Sequence, residues 1–233
     1  MFLLIDKPAG ITSHDVVDQV RRITGERRVG HAGTLDPFAT GLMIVGVGRE
    51  STKRLGEFLK QAKTYEATFR IGETTETLDP EGAVITGSVV KVTPTEIQAG
   101  ISALTGAIMQ IPPMYSALKR GGKKLYELAR AGETVVLEPR PVTIFELAII
   151  DQALCDQTQA NLTPFNLRVR IHCSSGTYIR CLARDLGEKL GTLGYVTELC
   201  RTRIGNWDLK KTSKLSELTR ENWVDRATAN LLN

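Results

Sequence analysis

Between Phe165 and Cys173 the chain alternates without a break, with Phe165, Leu167, Val169, Ile171 and Cys173 in one phase and Asn166, Arg168, Arg170 and His172 in the other. That period of two makes a half-buried strand, one face on a core and the other toward water. Thr64 to Ile71 repeats it, setting Tyr65, Ala67, Phe69 and Ile71 against Glu66, Thr68 and Arg70. Val142 to Ile150 is a third expected strand, and the apolar run Leu42 to Val47 a short buried one. Helical spacing appears between them. Ser13 is placed to cap a helix carrying Val16, Val17, Val20 and Ile23, which Gly25 ends. Ser51 opens a second helix, with Leu55, Phe58, Leu59 and Ala62 on one face. Thr93, Pro94 and Glu96 form a capping-box start for a helix turning Ile97, Ile101 and Leu104 inward, with Gly106 as its stop. After Ser174-Ser175-Gly176 a last long helix buries Ile179, Leu182, Ala183, Leu186 and Leu190. Strands interrupted by helices without a regular β-α-β rhythm point to an α+β fold, a mixed and largely antiparallel sheet flanked by helices.

The 233 residues suffice for one elaborated domain, or one domain with a small appendage. A content of 42% hydrophobic and 24% charged residues is that of a soluble globular chain, which excludes a disordered or fibrous one. No apolar run is long enough to span a bilayer, and the start MFLLIDKPAG meets Pro and Gly before a signal-peptide core forms, so a cytoplasmic protein without membrane association is expected. Cys155, Cys173, Cys181 and Cys200 lack C-x-x-C spacing, and His14, His31 and His172 lie far apart, so neither a metal site nor a disulfide framework is expected.

A net charge of +4 says little alone, but the cations cluster. Arg21, Arg22, Arg27 and Arg28 precede His31, while Lys119, Arg120, Lys123 and Lys124 flank a Gly-Gly pair that lets a backbone approach a ligand. A solvated charged face and a nucleic-acid contact are both consistent with that pattern. The loop Val29 to Gly41 joins helix to strand and holds one acid, Asp36. A loop on a rigid scaffold is where catalytic groups sit, yet Asp-Pro is also an ordinary turn former. Arg180 falls near a helix start, where a cation opposes the helix dipole by ~0.3–1 kcal/mol. Either it points into solvent or it pairs with an acid such as Asp36.

The segment VGHAGTLDPFATG resembles the catalytic motif of the TruB-type tRNA pseudouridine synthases, in which the aspartate is essential, and Asp6-Lys7-Pro8-Ala9-Gly10-Ile11-Thr12-Ser13 resembles their N-terminal motif. Lys63-Thr64-Tyr65-Glu66-Ala67 is similar to the strand bearing the active-site tyrosine, and Ile111 to Lys119 with the following GKKLYELAR to the RNA-contacting region. Ser175-Gly176-Thr177-Tyr178-Ile179-Arg180 resembles the motif of the active-site arginine, and Leu199-Cys200-Arg201-Thr202 the closing strand. The resemblance runs from about Leu4 to Trp207 in family order.

It implies a pseudouridine-synthase-like fold and isomerisation of uridine 55 in the T-arm loop of tRNA. Asp36, Tyr65 and Arg180 are then the catalytic set, with His31, Lys7, Leu199, Lys119 and Tyr178 contacting or supporting the substrate. His31 would stand near the gap left by a flipped base, Leu199 against the uracil, and Lys7 under the nucleophile loop. No cofactor is required. A catalytic domain over 1–212, with an RNA-contacting insertion at about 108–140, and a short helical tail over 213–233 are expected. About 25 residues follow Trp207, fewer than an independent fold needs, so no full C-terminal RNA-binding domain is expected. Ala32 stands where many members carry Thr, and Cys200 interrupts what is often an arginine pair. The partner is tRNA, no obligatory protein partner is implied, and a monomer is expected. Competing readings are another RNA uridine, a tRNA-folding chaperone, and an aspartate-dependent hydrolase, the last leaving the basic clusters without a purpose.

Overall fold

A computed structural model describes residues 1–87, 89–116, 118–133, 135–150 and 161–228, with Lys119, Lys124, Arg130, Asn161 and Leu162 described by their backbone alone. In chain order the elements are β1 (Phe2–Lys7), α1 (Ser13–Thr24), β2 (Val29–His31), β3 (Thr40–Val47), α2 (Arg49–Leu59) and β4 (Lys63–Ile71). Then come β5 (Glu73–Thr75), β6 (Val84–Thr86), β7 (Lys91–Val92), α3 (Pro94–Ala103), β8 (Gly106–Gln110), β9 (Lys119–Arg120), β10 (Lys123–Lys124) and α4 (Leu125–Arg130). The chain continues with β11 (Arg140–Ile149), β12 (Asn161–Leu162), β13 (Phe165–Cys173), α5 (Ile179–Lys189), β14 (Gly194–Ile204), β15 (Trp207–Asp208), β16 (Ser213–Lys214) and α6 (Trp223–Arg226). Two compact units result, Met1–Glu66 with Glu198–Asn233, and Ala67–Thr197.

In the first unit the sheet runs β16, β1, β3, β14, with β2 beside β3 and β15 beside β14. β1 and β3 pair antiparallel from Phe2↔Gly46 to Lys7↔Gly41, whereas β3 and β14 pair in parallel at Cys200↔Thr40 and Arg201↔Gly41. Gly41 has φ 104°, and a Cβ there would lie 2.8 Å from the Arg201 nitrogen and closer still to its carbonyl oxygen, so a side chain would push the two strands apart. Phe2, Ala32, Leu42, Ile44, Leu55, Phe58 and Ile204 form one core cluster. The rings of Phe2 and Phe58 meet edge to face at 5.3 Å between centroids.

α1 is capped by Thr12, not Ser13: the Thr12 hydroxyl accepts from the Asp15 amide while the Asp15 carboxylate accepts from the Thr12 amide, and Gly25 closes the helix at φ 70°. Ser13 is the first helical residue and points inward to Leu35, a tertiary bond that its cap-competent side chain gave no sign of. α2 starts at Arg49, ahead of the expected Ser51, which is buried, and Leu59 at its end is 45% exposed where an inward position was expected. The loop expected over 29–41 is shorter, because β2 pairs Val29, Gly30 and His31 with Val47, Gly46 and Val45. The last described residues add no layer of their own: β16 pairs with β1, Thr228 bridges to Phe2, and Leu215 and Leu218 are buried.

In the second unit β4, β13, β11 and β8 lie in that order, with β11 antiparallel to both β13 and β8. β13 spans the predicted residues, with Leu167, Val169, Ile171 and Cys173 fully buried. In β4, Phe69 and Ile71 are buried as expected, but so is Thr68 from the opposite phase, at 6% exposure. The capping box at Thr93 and Glu96 starts α3 as the sequence indicates. Ile97 and Ile101 are buried, and a Cβ on Gly100 would lie 2.8 Å from Leu186 Cδ1 of α5, so that side chain would have to shift to admit one. Leu190, expected inside, lies just past the end of α5 and is half-buried. Both units are thus α+β with mixed or antiparallel strand pairing.

Candidate active site

In the first unit the chain from Ala32 to Ala39 is a loop between β2 and β3 whose pegs Ala32, Leu35 and Ala39 are buried, leaving Asp36, Pro37 and Phe38 half-buried. Its carbonyls are held one after another. Gly33 O accepts from Arg201 Nη2 at 3.1 Å and Thr34 O from Arg201 Nη1 at 3.4 Å. The Ser13 hydroxyl donates to Leu35 O at 3.0 Å and accepts from Leu35 N at 2.8 Å. Ala39 N donates to Asp36 O at 3.1 Å, a turn with Pro37 in its second position, and Pro37 O accepts from Lys7 Nζ at 3.0 Å and Gly10 N at 2.9 Å. The Asp-Pro turn read from the sequence is therefore present. It presents the Asp36 side chain from a main chain fixed on both sides.

Lys7 is fully buried at the end of β1 and also donates to Pro8 O at 2.9 Å. Lys63 is 7% exposed, and its ammonium donates to Leu59 O at 2.8 Å and Gln61 O at 2.6 Å, closing the C-terminus of α2 where the dipole favours a cation. Tyr65 and Leu199 are each 7% exposed, and Thr40 Oγ1 reaches Leu199 O at 3.5 Å. His31 lies in β2. Burial and then the Arg201 charge hold its imidazole below the usual value of 6.5, against a bond with the Gly33 backbone that acts the other way, so near neutrality the ring is uncharged.

Arg180, Tyr178 and Lys119 belong to the second unit. Arg180 is 4% exposed at the start of α5, and its compensation comes from Asp79: Nη1 donates to Asp79 Oδ2 at 3.0 Å and to Thr77 O at 2.7 Å, while Nη2 donates to Tyr115 O at 2.7 Å. Of the two readings of Arg180, the solvent-facing one is ruled out, and the acid shown paired with it is Asp79. Asp79 is itself fixed, accepting from Thr77 Oγ1 at 2.6 Å and Glu81 N at 3.0 Å. Between Thr77 and Asp79, Leu78 holds φ 61°, a left-handed backbone rare for a leucine. Tyr178 caps α5 with its backbone clamped by Gln110, whose amide accepts from Tyr178 N at 2.8 Å and donates to Tyr178 O at 3.1 Å. Burial raises the Tyr178 phenol, opposed by the Ser116 hydroxyl. The Lys119 side chain lies outside the described part of the structure.

Sequence reasoning missed Ser13, Asp79 and Gln110 as anchors and took Arg201 only as part of a strand. For Arg201 a signal exists, since it shares the apolar phase of β14 with Tyr195 and Leu199. Among the described residues no group of three or more His, Cys, Asp or Glu side chains could hold a metal ion, and no helix is long and apolar enough to cross a membrane.

The α+β fold is shared with solved structures. The chain superposes with a TM-score of 0.69, at 25% identity and over 93% of its length, on 53% of a chain from a Cbf5-Nop10-Gar1 complex, so it spans about half of that chain. This is the fold of the pseudouridine synthases. Residues 21–179 match the TruB family pseudouridylate synthase N-terminal domain, and residues 180–232 the tRNA pseudouridylate synthase B C-terminal domain. The chain is 48% identical over 220 residues to a tRNA pseudouridine synthase B of Thermobifida fusca, covering 94% of this chain and 74% of that one. It is likewise 48% identical over 217 residues to the protein of that name from Mycobacterium tuberculosis, covering 93% and 70%. The chain belongs to the TruB family of pseudouridylate synthases.

Proposed function

We propose that this protein converts uridine 55 in the T-arm loop of tRNA to pseudouridine, with Asp36 as the acting carboxylate. Family membership supports the reaction and the RNA class. The observation that carries the choice of residue is the loop itself: a half-buried aspartate whose own carbonyl and the carbonyls on either side of it all have donors.

The reaction breaks the bond from N1 to C1′, turns the base and joins C5 to C1′, with no net redox change. An ionised carboxylate serves either route to that end, by covalent addition or by proton abstraction from the ribose to a glycal-like intermediate. Tyr65 and Arg180 complete the catalytic set, Tyr65 stacking on the base and relaying the C5 proton. Extrusion of the stacked uridine costs a few kcal/mol. An uncharged His31 imidazole suits the vacated place, because a neutral ring stacks without the desolvation cost of a cation. Leu199 packs on the uracil, Lys7 supports the loop, and Lys119 and Tyr178 contact the RNA. The enzyme acts as a monomer in the cytoplasm, without cofactor, metal or obligatory protein partner.

The test is incubation of an unmodified tRNA transcript with the protein, followed by carbodiimide labelling and primer extension. A single stop at position 55 is expected. A stop at another uridine overturns the site assignment, and tight binding without any stop favours a chaperone role.

A further inference from the structure

We propose that Arg201 is a positioning residue of the catalytic loop, its guanidinium stapling the entry of the loop at Gly33 and Thr34 to the strand it leads into at Leu42. The inference rests on Asp36 being the acting carboxylate.

Arg201 is 1% exposed and heads the largest fully buried side chains of the described residues. Nε donates to Leu42 O at 2.8 Å, Nη2 to Gly33 O at 3.1 Å and Nη1 to Thr34 O at 3.4 Å. All three acceptors are neutral main-chain carbonyls, and no carboxylate of the described residues pairs with the charge. An unpaired buried cation is a costly way to gain stability, since apolar residues of similar volume fill such places at least as well. A planar fork of donors does something an apolar side chain cannot: it sets several carbonyls in one plane at fixed spacing. Two belong to the loop that carries Asp36 and the third to β3, which begins where the loop ends. One group therefore ties both ends of the loop together.

The backbone agrees with the side chain. Arg201 lies opposite Gly41 in the parallel pairing of β14 with β3, and the glycine lets the two main chains approach. Downstream of the staple, Ser13 takes over at Leu35 and Lys7 at Pro37, so Asp36 sits within a continuous series of held carbonyls that Arg201 begins. The charge is also felt nearby, since Arg201 is the second cause of the lowered His31 titration.

Losing the staple lets the loop shift by an ångström or so, and misplacement of that size costs about 100-fold in rate. The experiment compares the parent protein, Arg201→Met, Arg201→Lys and Asp36→Asn on a T-arm stem-loop labelled with tritium at uridine C5. It reads single-turnover release, RNA affinity by filter binding, and folding by circular dichroism. Arg201→Met is expected to lose about 100-fold in rate with affinity within about 3-fold of the parent. Arg201→Lys, a point charge without the fork, falls between, and the His31 imidazole titrates higher in Arg201→Met. If folded Arg201→Met keeps the parent rate while Asp36→Asn is inactive, the positioning role is overturned and the aspartate assignment stands. If Asp36→Asn keeps the parent rate, the aspartate assignment itself fails. Should Arg201→Met not fold, Arg201→Lys gives the reading, and if neither folds the guanidinium is a folding element and the inference is wrong.

Discussion

Asp36 in the first unit is placed by its main chain, through donors from Arg201, Ser13, Ala39 and Lys7 to the carbonyls around it, whereas Arg180 in the second is placed by its own guanidinium, locked to Asp79 and two carbonyls. The difference decides what each side chain is worth to the fold. A loop whose carbonyls have donors of their own retains those bonds when its acid is replaced. A residue fixed through its charge cannot be changed without leaving that charge's partner behind.

The sharpest way to break the contrast is Arg180→Met. The Arg180 and Asp79 side chains are 5% and 4% exposed, so the variant strands a buried carboxylate, and breaking such a pair costs roughly 3–5 kcal/mol. Urea denaturation should show that loss together with the loss of activity. An unchanged midpoint with unchanged slope would show that the pair does not hold the second unit together.

A smaller effect sharpens the other side. Burial and Arg201 hold His31 below 6.5, so the unfolded chain binds a proton more readily than the folded one. The stability this provides is complete above about pH 6.5 and is lost as pH falls below it, until the folded imidazole itself titrates. Melting temperatures between pH 7 and 5 should therefore fall less steeply for His31→Asn than for the parent, and the parent imidazole should titrate below 6.5 by NMR. Equal slopes, or a midpoint above 6.5, would mean that neither burial nor the Arg201 charge governs the ring.

Much of the fold was legible because its signals are local. β13 follows its period of two residue for residue, and α3 begins at a capping box whose two partners lie three residues apart. β2 was not legible, since three residues with a central glycine carry no alternation and their pairing with β3 is a tertiary fact. Thr12 and Ser13 can both cap a helix, and only the bond from Ser13 to Leu35 decides between them. At the candidate site, Asp36 stands out as the sole acid of its loop. Asp79 does not, because its partner is 101 residues away and Asp-Pro-Glu-Gly reads as a surface turn. Arg201 lay between these cases, a cation in an apolar phase whose meaning required the carbonyls it meets.

The most direct measurement is the single-turnover rate of pseudouridine formation by Asp36→Asn on a T-arm stem-loop, taken with its unfolding free energy. The backbone-held loop predicts no detectable product, RNA binding retained, and stability within about 0.5 kcal/mol of the parent. Product at the parent rate would remove Asp36 from the chemistry, and a loss of activity that merely follows unfolding would contradict the claim that the main-chain bonds hold the loop.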